Sequence, residues 1–169
     1  MKCIVDTNVA IVANRRDDAP ASPDCVLRCI TLLNEFQRDQ RPLVIDDGWH
    51  ILREYQRNLC STGQPGVGDA FLRWVLTNRA NPRRCEQVHI TPRDTHEDHW
   101  DFDEFPNTLA LQDFDRSDRK FAAVALAHPE HPPVVNATDS DWWNYRDALA
   151  THDVRVEFVC PDAQFMPRQ

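Results

Sequence analysis

Residues 3–8 have the sequence CIVDTN, and this short stretch decides the fold class. A brief apolar run that is closed by a polar turn is typical of a buried strand in a parallel sheet. Asp6 ends the run and the turn residues Thr7 and Asn8 follow it. The sequence therefore predicts a first strand with a carboxylate just beyond its carboxyl end.

Downstream of this strand, helical periodicity alternates with short apolar runs. A helix is expected to begin between Val9 and Val12, and Ser22 before Pro23 has the pattern of an N-cap followed by proline at the first helical position. The next predicted elements are a strand at 43–45, a helix through 51–59 with Glu54 beside its apolar face, a helix from 67 to about 81 and a weak strand at 88–90. This alternation predicts an α/β fold with a mostly parallel sheet.

The second half of the chain begins with a long segment without sustained period, residues 91–117, which predicts a loop insertion that contains at most a helical turn. Ser117 is expected to cap the next helix, with Asp118 in its first turn. A strand at 133–138, a helix from Trp142 to Ala150 and a half-buried edge strand at 154–159 complete the pattern. We expect a single domain over residues 1–160 and a C-terminal tail at 161–169.

Composition restricts the function without deciding it. The chain has 19 basic and 27 acidic residues, a net charge of -8. Proteins that bind nucleic acids along an extended surface usually carry a basic footprint, so any RNA is expected to be held locally. Carboxylates are also the ligands of hard divalent cations, which neutralise them on binding.

The cysteines and the amino end indicate the compartment. Six cysteines are scattered without a CxxC pair, so neither a disulfide scaffold nor a zinc ribbon is expected, and Cys25 and Cys29 are interpreted as packed thiols. The amino end lacks the apolar core of a signal peptide, and no stretch is long and apolar enough for a membrane helix. These features predict a reduced, cytoplasmic protein without a membrane partner.

Carboxylates from distant segments are expected to converge. Asp6 and Asp139 follow predicted strands, Asp118 lies at a helix start, and Glu54 lies on the helix after the second strand. Ligands of open parallel sheets bind beyond the carboxyl ends of the strands. Because clustered like charges repel, a divalent cation is the expected partner, either as two ions about 3.5 to 4 Å apart or as one ion with a positioned water. Such a site can activate water toward a phosphodiester.

The sequence resembles the PIN-domain nucleases over most of its length. The resemblance lies in IVDTNV at 4–9, ILREYQ at 51–56, SDRKFAAVAL at 117–126 and NATDSDWW at 136–143. It implies a three-layer α/β/α fold, cleavage of RNA by metal-activated water, and Mg²⁺ or Mn²⁺ held by Asp6, Glu54, Asp118 and Asp139. It also implies a toxin or defence effector that an inhibitory or activating protein partner controls, and it is compatible with a homodimer. The 91–117 insertion is longer than compact toxin-like members carry.

The resemblance also assigns auxiliary residues. Asp141 matches an acidic position that assists the metal ligands, and Asn8 can orient an acid or a water. Asp113 and Asp115 stand so close to Asp118 that they remain alternatives for the third ligand, and Asp115 is kept as an auxiliary residue.

Basic residues near the predicted ligands are the candidates for contacting RNA phosphates. They are Arg53, Arg57, Arg119 and Lys120. Each candidate also has an ordinary explanation: Glu54 can pair with a neighbouring arginine on the surface, and Asp118 and Asp139 can serve helix amino ends.

Two other functions stay open. A Mg²⁺-dependent phosphatase would be expected to carry a second acid two residues after Asp6, where this chain has Asn8. A non-catalytic PIN-like module that binds RNA or protein would keep the fold without turnover.

Overall fold

The computed structural model describes residues 1–14, 21–38, 41–93 and 101–160, so the predicted tail at 161–169 lies outside the described residues. The helices in these ranges are α1 (Thr7–Ala13), α2 (Pro23–Gln37), α3 (His50–Asn58), α4 (Val67–Asn78), α5 (Arg119–Ala127) and α6 (Ser140–Ala150). The strands are β1 (Ile4–Val5), β2 (Leu43–Asp46), β3 (Cys85–Val88), β4 (Pro92–Arg93), β5 (Asp101–Phe102), β6 (Val134–Asn136) and β7 (Val156–Phe158). The protein is therefore mixed α/β, as predicted.

The parallel strands lie in two small sheets that meet at β1. One sheet has the order β1-β6-β7 and the other pairs β2 with β3. A parallel bridge between Cys3 and Leu43 joins β1 to β2. Because the chain leaves β1 for β2 on one side and returns in β6 on the other, the carboxyl end of β1 lies where the strand order reverses. This is the position at which open α/β sheets bind ligands.

Buried apolar faces hold the helices against these strands. Helix α1 packs against α2 and α4, while α5 packs against β1, β2 and β6. Helix α2 begins as predicted, because the Ser22 side chain accepts a hydrogen bond from the amide of Cys25 and a proline occupies its first turn. Strand β1 is completely buried and β7 is a half-buried edge, which confirms both interpretations.

The boundaries of β3 and α5 differ from the sequence predictions. The third strand lies at Cys85–Val88 rather than at 88–90, because the polar residues Glu86 and Gln87 hide a strand that is paired along its full length with β2. Helix α5 starts after Asp118, and Ser117 does not cap it. The Ser117 hydroxyl instead donates a hydrogen bond to the Asp115 carboxylate at 2.8 Å.

The segment predicted as a loop at 91–117 contains more regular structure than a loop. Strands β4 and β5 pair antiparallel, and a 3₁₀ turn follows at Leu109–Leu111. Its aromatic residues Phe102, Phe105 and Phe114 are buried. Residues 94–100 of this segment lie outside the described part.

A disulfide contradicts the interpretation of Cys25 as a packed thiol, whereas Cys29 is a buried free thiol as predicted. Cys25 of α2 is bonded to Cys160, which follows β7. The two cysteines are 135 residues apart in sequence, so no short spacing pattern could have predicted the bond. No helix in the described ranges combines the length and apolar character that crossing a lipid bilayer requires.

Candidate active site

Asp6 lies between the first strand and the first helix and points into the protein. It is the N-cap of α1, where its Oδ1 accepts a hydrogen bond of 2.7 Å from the amide of Asn8. The residue is 3% exposed. Burial raises the pKa of Asp6 to about 7, with further contributions from the charges of Glu54 and Asp139, although the Asn8 amide opposes the shift. The Asp6 carboxyl therefore changes charge near neutral pH.

Trp142 fixes the second oxygen of this carboxyl. Its indole Nε1 donates a hydrogen bond of 2.7 Å to Asp6 Oδ2. The indole is completely buried and its edge packs against the rings of Phe114 and Phe121. No polar role was predicted for Trp142, because this contact joins residues that are 136 positions apart in the sequence.

Trp142→Phe should lower the free energy of unfolding by about 1–3 kcal/mol, because the buried Asp6 oxygen loses its donor while the aromatic contacts remain. Urea denaturation measures the change. Trp143→Phe is the matched control, since Trp143 is only half-buried and lies against Arg146. Equal losses in both variants would show that the indole N–H contributes nothing specific.

Among the predicted ligands, Asp118 has the largest pKa shift. It is 7% exposed, and no donor in the described residues bonds to its side chain. Burial raises its pKa to about 10, and the charges of Asp6, Asp139, Asp115 and Glu54 act in the same direction. Without a cation, this carboxyl is protonated at neutral pH.

Asp139 completes the carboxylates at the ends of β1 and β6. It is the N-cap of α6 and accepts a hydrogen bond of 2.8 Å from the amide of Asp141. Burial raises the pKa of Asp139, while the Asp141 amide opposes that rise. The N-cap role that the sequence analysis offered as an alternative is therefore present, and Asp139 also lines the cleft described below.

The two auxiliary acids have structural contacts outside the cleft lining. Asp141 accepts a hydrogen bond of 2.9 Å from the amide of Asp115, which ties the segment before α5 to α6. Asp115 in turn accepts hydrogen bonds from the amide and hydroxyl of Ser117. Neither side chain lines the cleft, so their placement does not support direct ligand roles.

Glu54 of α3 lines the cleft, and its negative charge is already paired with a positive one. It accepts a hydrogen bond of 2.6 Å from the Thr7 hydroxyl and forms an ion pair with Lys120. The predicted alternative, a surface pair with an adjacent arginine of α3, is not what the structure contains. Glu54 is therefore coupled to the start of α5.

Asn8 links the two strand ends. Its Oδ1 accepts a hydrogen bond of 2.8 Å from the amide of Thr138, in the turn between β6 and α6. This contact holds the segment after β1 against the segment that carries Asp139. Asn8 thus connects the turn that carries Asp6 to the turn that carries Asp139.

The predicted phosphate-contacting residues separate into two groups. Arg53, Arg57 and Lys120 line the cleft. Arg119 does not: it is 8% exposed and its guanidinium is bonded to Asp101 at 3.0 Å and to backbone carbonyls. Its placement contradicts the prediction, because the start of α5 turns this side chain toward the interior beside Phe105. Arg116, which the sequence analysis did not select, lies in the lining instead.

The cleft that the carboxylates and Arg53, Arg57, Arg116 and Lys120 line is open and has a volume of about 440 Å³. All of the carboxylates proposed as ligands, Asp6, Glu54, Asp118 and Asp139, contribute to it. One wall is aromatic, since the His50 ring meets the Phe102 ring edge-on with centroids 5.2 Å apart. Burial lowers the pKa of His50, so this imidazole favours its neutral form. The cleft can accept an anionic, ring-bearing group beside an acidic floor.

The four carboxylates line the same cleft, but their oxygen atoms do not come together at one position. Among the described residues, no three cleft carboxylates bring one oxygen each within 4.8 Å of one another. Two observations nevertheless favour a hard cation. Each of the four proposed ligands would bind through a carboxylate oxygen. In addition, the buried Asp118 carboxyl has no hydrogen-bond partner among the described residues. A shared ion would require these side chains to rotate toward one another.

Comparison with known proteins adds no assignment, since no family model, curated protein or solved structure matches the chain.

Proposed function

We propose that the chain is a metal-dependent endoribonuclease of the PIN-domain type, with the three-layer arrangement of that family. The observation that carries the proposal is the convergence of Asp6, Glu54, Asp118 and Asp139, from four separate segments, on one cleft at the strand-order reversal. Burial, with the negative charges of its neighbours, raises the pKa of Asp118 to about 10. A bound divalent cation would neutralise these clustered carboxylates.

Asp6, Asp118 and Asp139 are the residues that would hold Mg²⁺ or Mn²⁺. A bound ion of this kind supplies an activated water and stabilises the charge that develops on the phosphodiester. The Asp6 carboxyl is prepared for ligation because Trp142 and the Asn8 amide fix both of its oxygens. Asn8 keeps the Asp139 segment in register with Asp6 through the Thr138 amide.

Lys120 bears on whether one or two ions are used. Its ammonium group is paired with Glu54 and also donates to the Ser117 carbonyl, so one positive charge already resides on this side of the cleft. With Glu54 neutralised, three carboxylates remain for a cation. This charge balance favours one ion with Lys120 as the second positive group.

The remaining lining can position an RNA strand. Arg53, Arg57 and Arg116 provide guanidinium groups for phosphate oxygens, and the His50–Phe102 wall offers a face for a nucleobase. Because the whole chain has a net charge of -8, the RNA contacts are confined to these arginines and the adjacent aromatic wall. Control by a protein partner and assembly into a homodimer belong to the same proposal.

The test is cleavage of a labelled single-stranded RNA by the full chain with Mn²⁺ or Mg²⁺, with and without EDTA. We expect metal-dependent internal cleavage that EDTA abolishes and that Asp6→Asn removes. Asp147→Asn serves as a control, because it removes the same charge from an exposed position on α6 outside the cleft lining. A single-stranded DNA of the same sequence and a phosphomonoester, supplied in parallel, report the substrate class.

The phosphatase alternative finds less support in the cleft. Its second acid would stand at Asn8, and this side chain instead accepts hydrogen bonds from Thr138. Hydrolysis of the phosphomonoester without RNA cleavage would favour the phosphatase. RNA binding that survives Asp6→Asn, with no cleavage by the wild type, would favour a binding module.

A further inference from the structure

A cluster of three cysteines lies on the side of the molecule formed by α2 and the end of β7. Cys25 and Cys29 belong to α2, and Cys160 follows β7. Their sulfur atoms all lie within 4.8 Å of one another, and all three residues are buried. No other group of three potential ligands in the described ranges is as compact.

The helix itself brings two of these sulfurs together. Residues four apart on a helix lie on the same face, so Cys25 and Cys29 project in the same direction. That face packs into the hydrophobic core, where Cys29 is completely buried. Cys160 approaches from the other side, and its sulfur lies 3.7 Å from the carbonyl oxygen of Cys25.

The disulfide between Cys25 and Cys160 leaves Cys29 unused. Two cysteines are sufficient for a covalent link, and Cys29 remains a free thiol beside it. Burial raises the pKa of Cys29 to about 12, so the thiol keeps its proton when no cation is near. A coordinating cation reverses this preference, because it deprotonates the thiol that binds it.

We propose that, in the reduced protein, Cys25, Cys29 and Cys160 bind one thiophilic cation, with Cu⁺ as the preferred ion. Thiolates select Cu⁺ and Zn²⁺ over hard cations such as Mg²⁺. Structural zinc sites are almost always four-coordinate, whereas the described residues supply only three ligands here. The cluster is therefore chemically separate from the all-carboxylate cleft.

The disulfide and the cation site are alternative states of the same sulfurs. A dithiol reductant delivers two electrons and two protons to the Cys25–Cys160 bond and becomes a disulfide itself, which leaves three thiols in the cluster. Binding the cation then releases the thiol protons to solvent. Both states fasten the end of β7 to α2, which packs against α1, the helix that Asp6 caps.

The experiment uses the full chain, reduced with a dithiol and then separated from it without oxygen. Cu⁺ is supplied as its complex with a coloured chelator, and loss of colour reports transfer to the protein. We expect the wild type to take one equivalent. Cys29→Ala should bind at least about 100-fold more weakly, since outer-shell partners alone change metal affinity by about 10- to 100-fold.

Cys85→Ala is the matched control, because Cys85 is an equally buried free thiol outside the cluster. It should bind Cu⁺ like the wild type, and Zn²⁺ should compete poorly. Absence of transfer to the wild type, or equal affinity in Cys29→Ala, would overturn the proposal. X-ray absorption at the copper edge of the wild type needs no variant: three sulfur neighbours support the site, and fewer sulfurs or nitrogen neighbours contradict it.

Discussion

Asp118→Asn should abolish RNA cleavage while leaving the metal-free fold intact. In the absence of a cation the Asp118 carboxyl is protonated at neutral pH, since its pKa is raised to about 10. Asparagine has nearly the same shape and is also neutral, so the metal-free variant should match the wild type in stability at about pH 4. At neutral pH it should be the more stable of the two, because only the wild type releases the Asp118 proton on unfolding. Asparagine cannot supply an anionic oxygen, so we expect the cleavage rate to fall by about 100-fold or more.

The same variant should lose its stabilisation by Mn²⁺. Binding to the folded state alone stabilises a protein by about 2.7 kcal/mol at a ligand concentration 100 times the Kd, and urea denaturation with and without Mn²⁺ measures this shift. Asp113, an alternative ligand in the sequence, is exposed and lies outside the cleft lining, so Asp113→Asn removes the same charge nearby and is the control. Retention of both cleavage and Mn²⁺ stabilisation in Asp118→Asn would exclude Asp118 as a ligand.

The stability of the metal-free protein should fall as pH rises from about 5 to 8. The ordinary pKa of an aspartate is 3.8, whereas the pKa is raised to about 7 in Asp6 and to about 10 in Asp118. Below about pH 4 both the folded and unfolded states hold these protons. Above it the folded state alone keeps them, so unfolding releases protons and the free energy of unfolding decreases with pH. Each retained proton contributes a slope of up to about 1.4 kcal/mol per pH unit.

Urea denaturation at several pH values, in EDTA and in Mn²⁺, measures this slope. The contribution of Asp6 should end near pH 7 and that of Asp118 should continue toward pH 10. The lowered pKa of His50 acts in the opposite direction, so the informative quantity is the difference in slope between wild type and Asp118→Asn. Mn²⁺ should flatten the wild-type slope, since a bound cation favours the ionised acids. Identical slopes in the two proteins would mean that Asp118 ionises normally.

Much of the architecture followed from local sequence signals. The short apolar run before Asp6 predicted a buried strand, and Ser22 with Pro23 predicted the start of α2. These signals work because strand burial and helix capping depend on residues within a few positions of one another. The arrival of Asp6, Glu54, Asp118 and Asp139 at one cleft was also anticipated, from the rule that strand ends and helix starts share an edge.

Features that depend on distant contacts could not be predicted in the same way. The hydrogen bond from Trp142 to Asp6 spans 136 positions and the disulfide spans 135. Arg119 was expected to face RNA because it follows Asp118, yet a helix turns each successive residue by about 100° and carries this one inward to Asp101. Strand β3 was predicted at the wrong position, because pairing with β2 outweighs the polarity of Glu86 and Gln87.

The contact between Lys120 and Glu54 also lay beyond sequence reasoning, and it changes the interpretation of the site. Both residues were selected separately, one as a phosphate contact and the other as a metal ligand. Their ion pair means that the cleft balances part of its charge internally. The carboxylates left for a cation are those with raised pKa values, Asp6, Asp118 and Asp139.

The most direct test of the central claim is recovery of RNA cleavage by EDTA-treated protein when Mn²⁺ is restored, measured for the wild type beside Asp118→Asn. We expect the wild type to regain metal-dependent internal cleavage and the folded variant to remain inactive. A wild type that leaves RNA intact at every Mn²⁺ concentration, or a variant that cleaves as fast as the wild type, would contradict it.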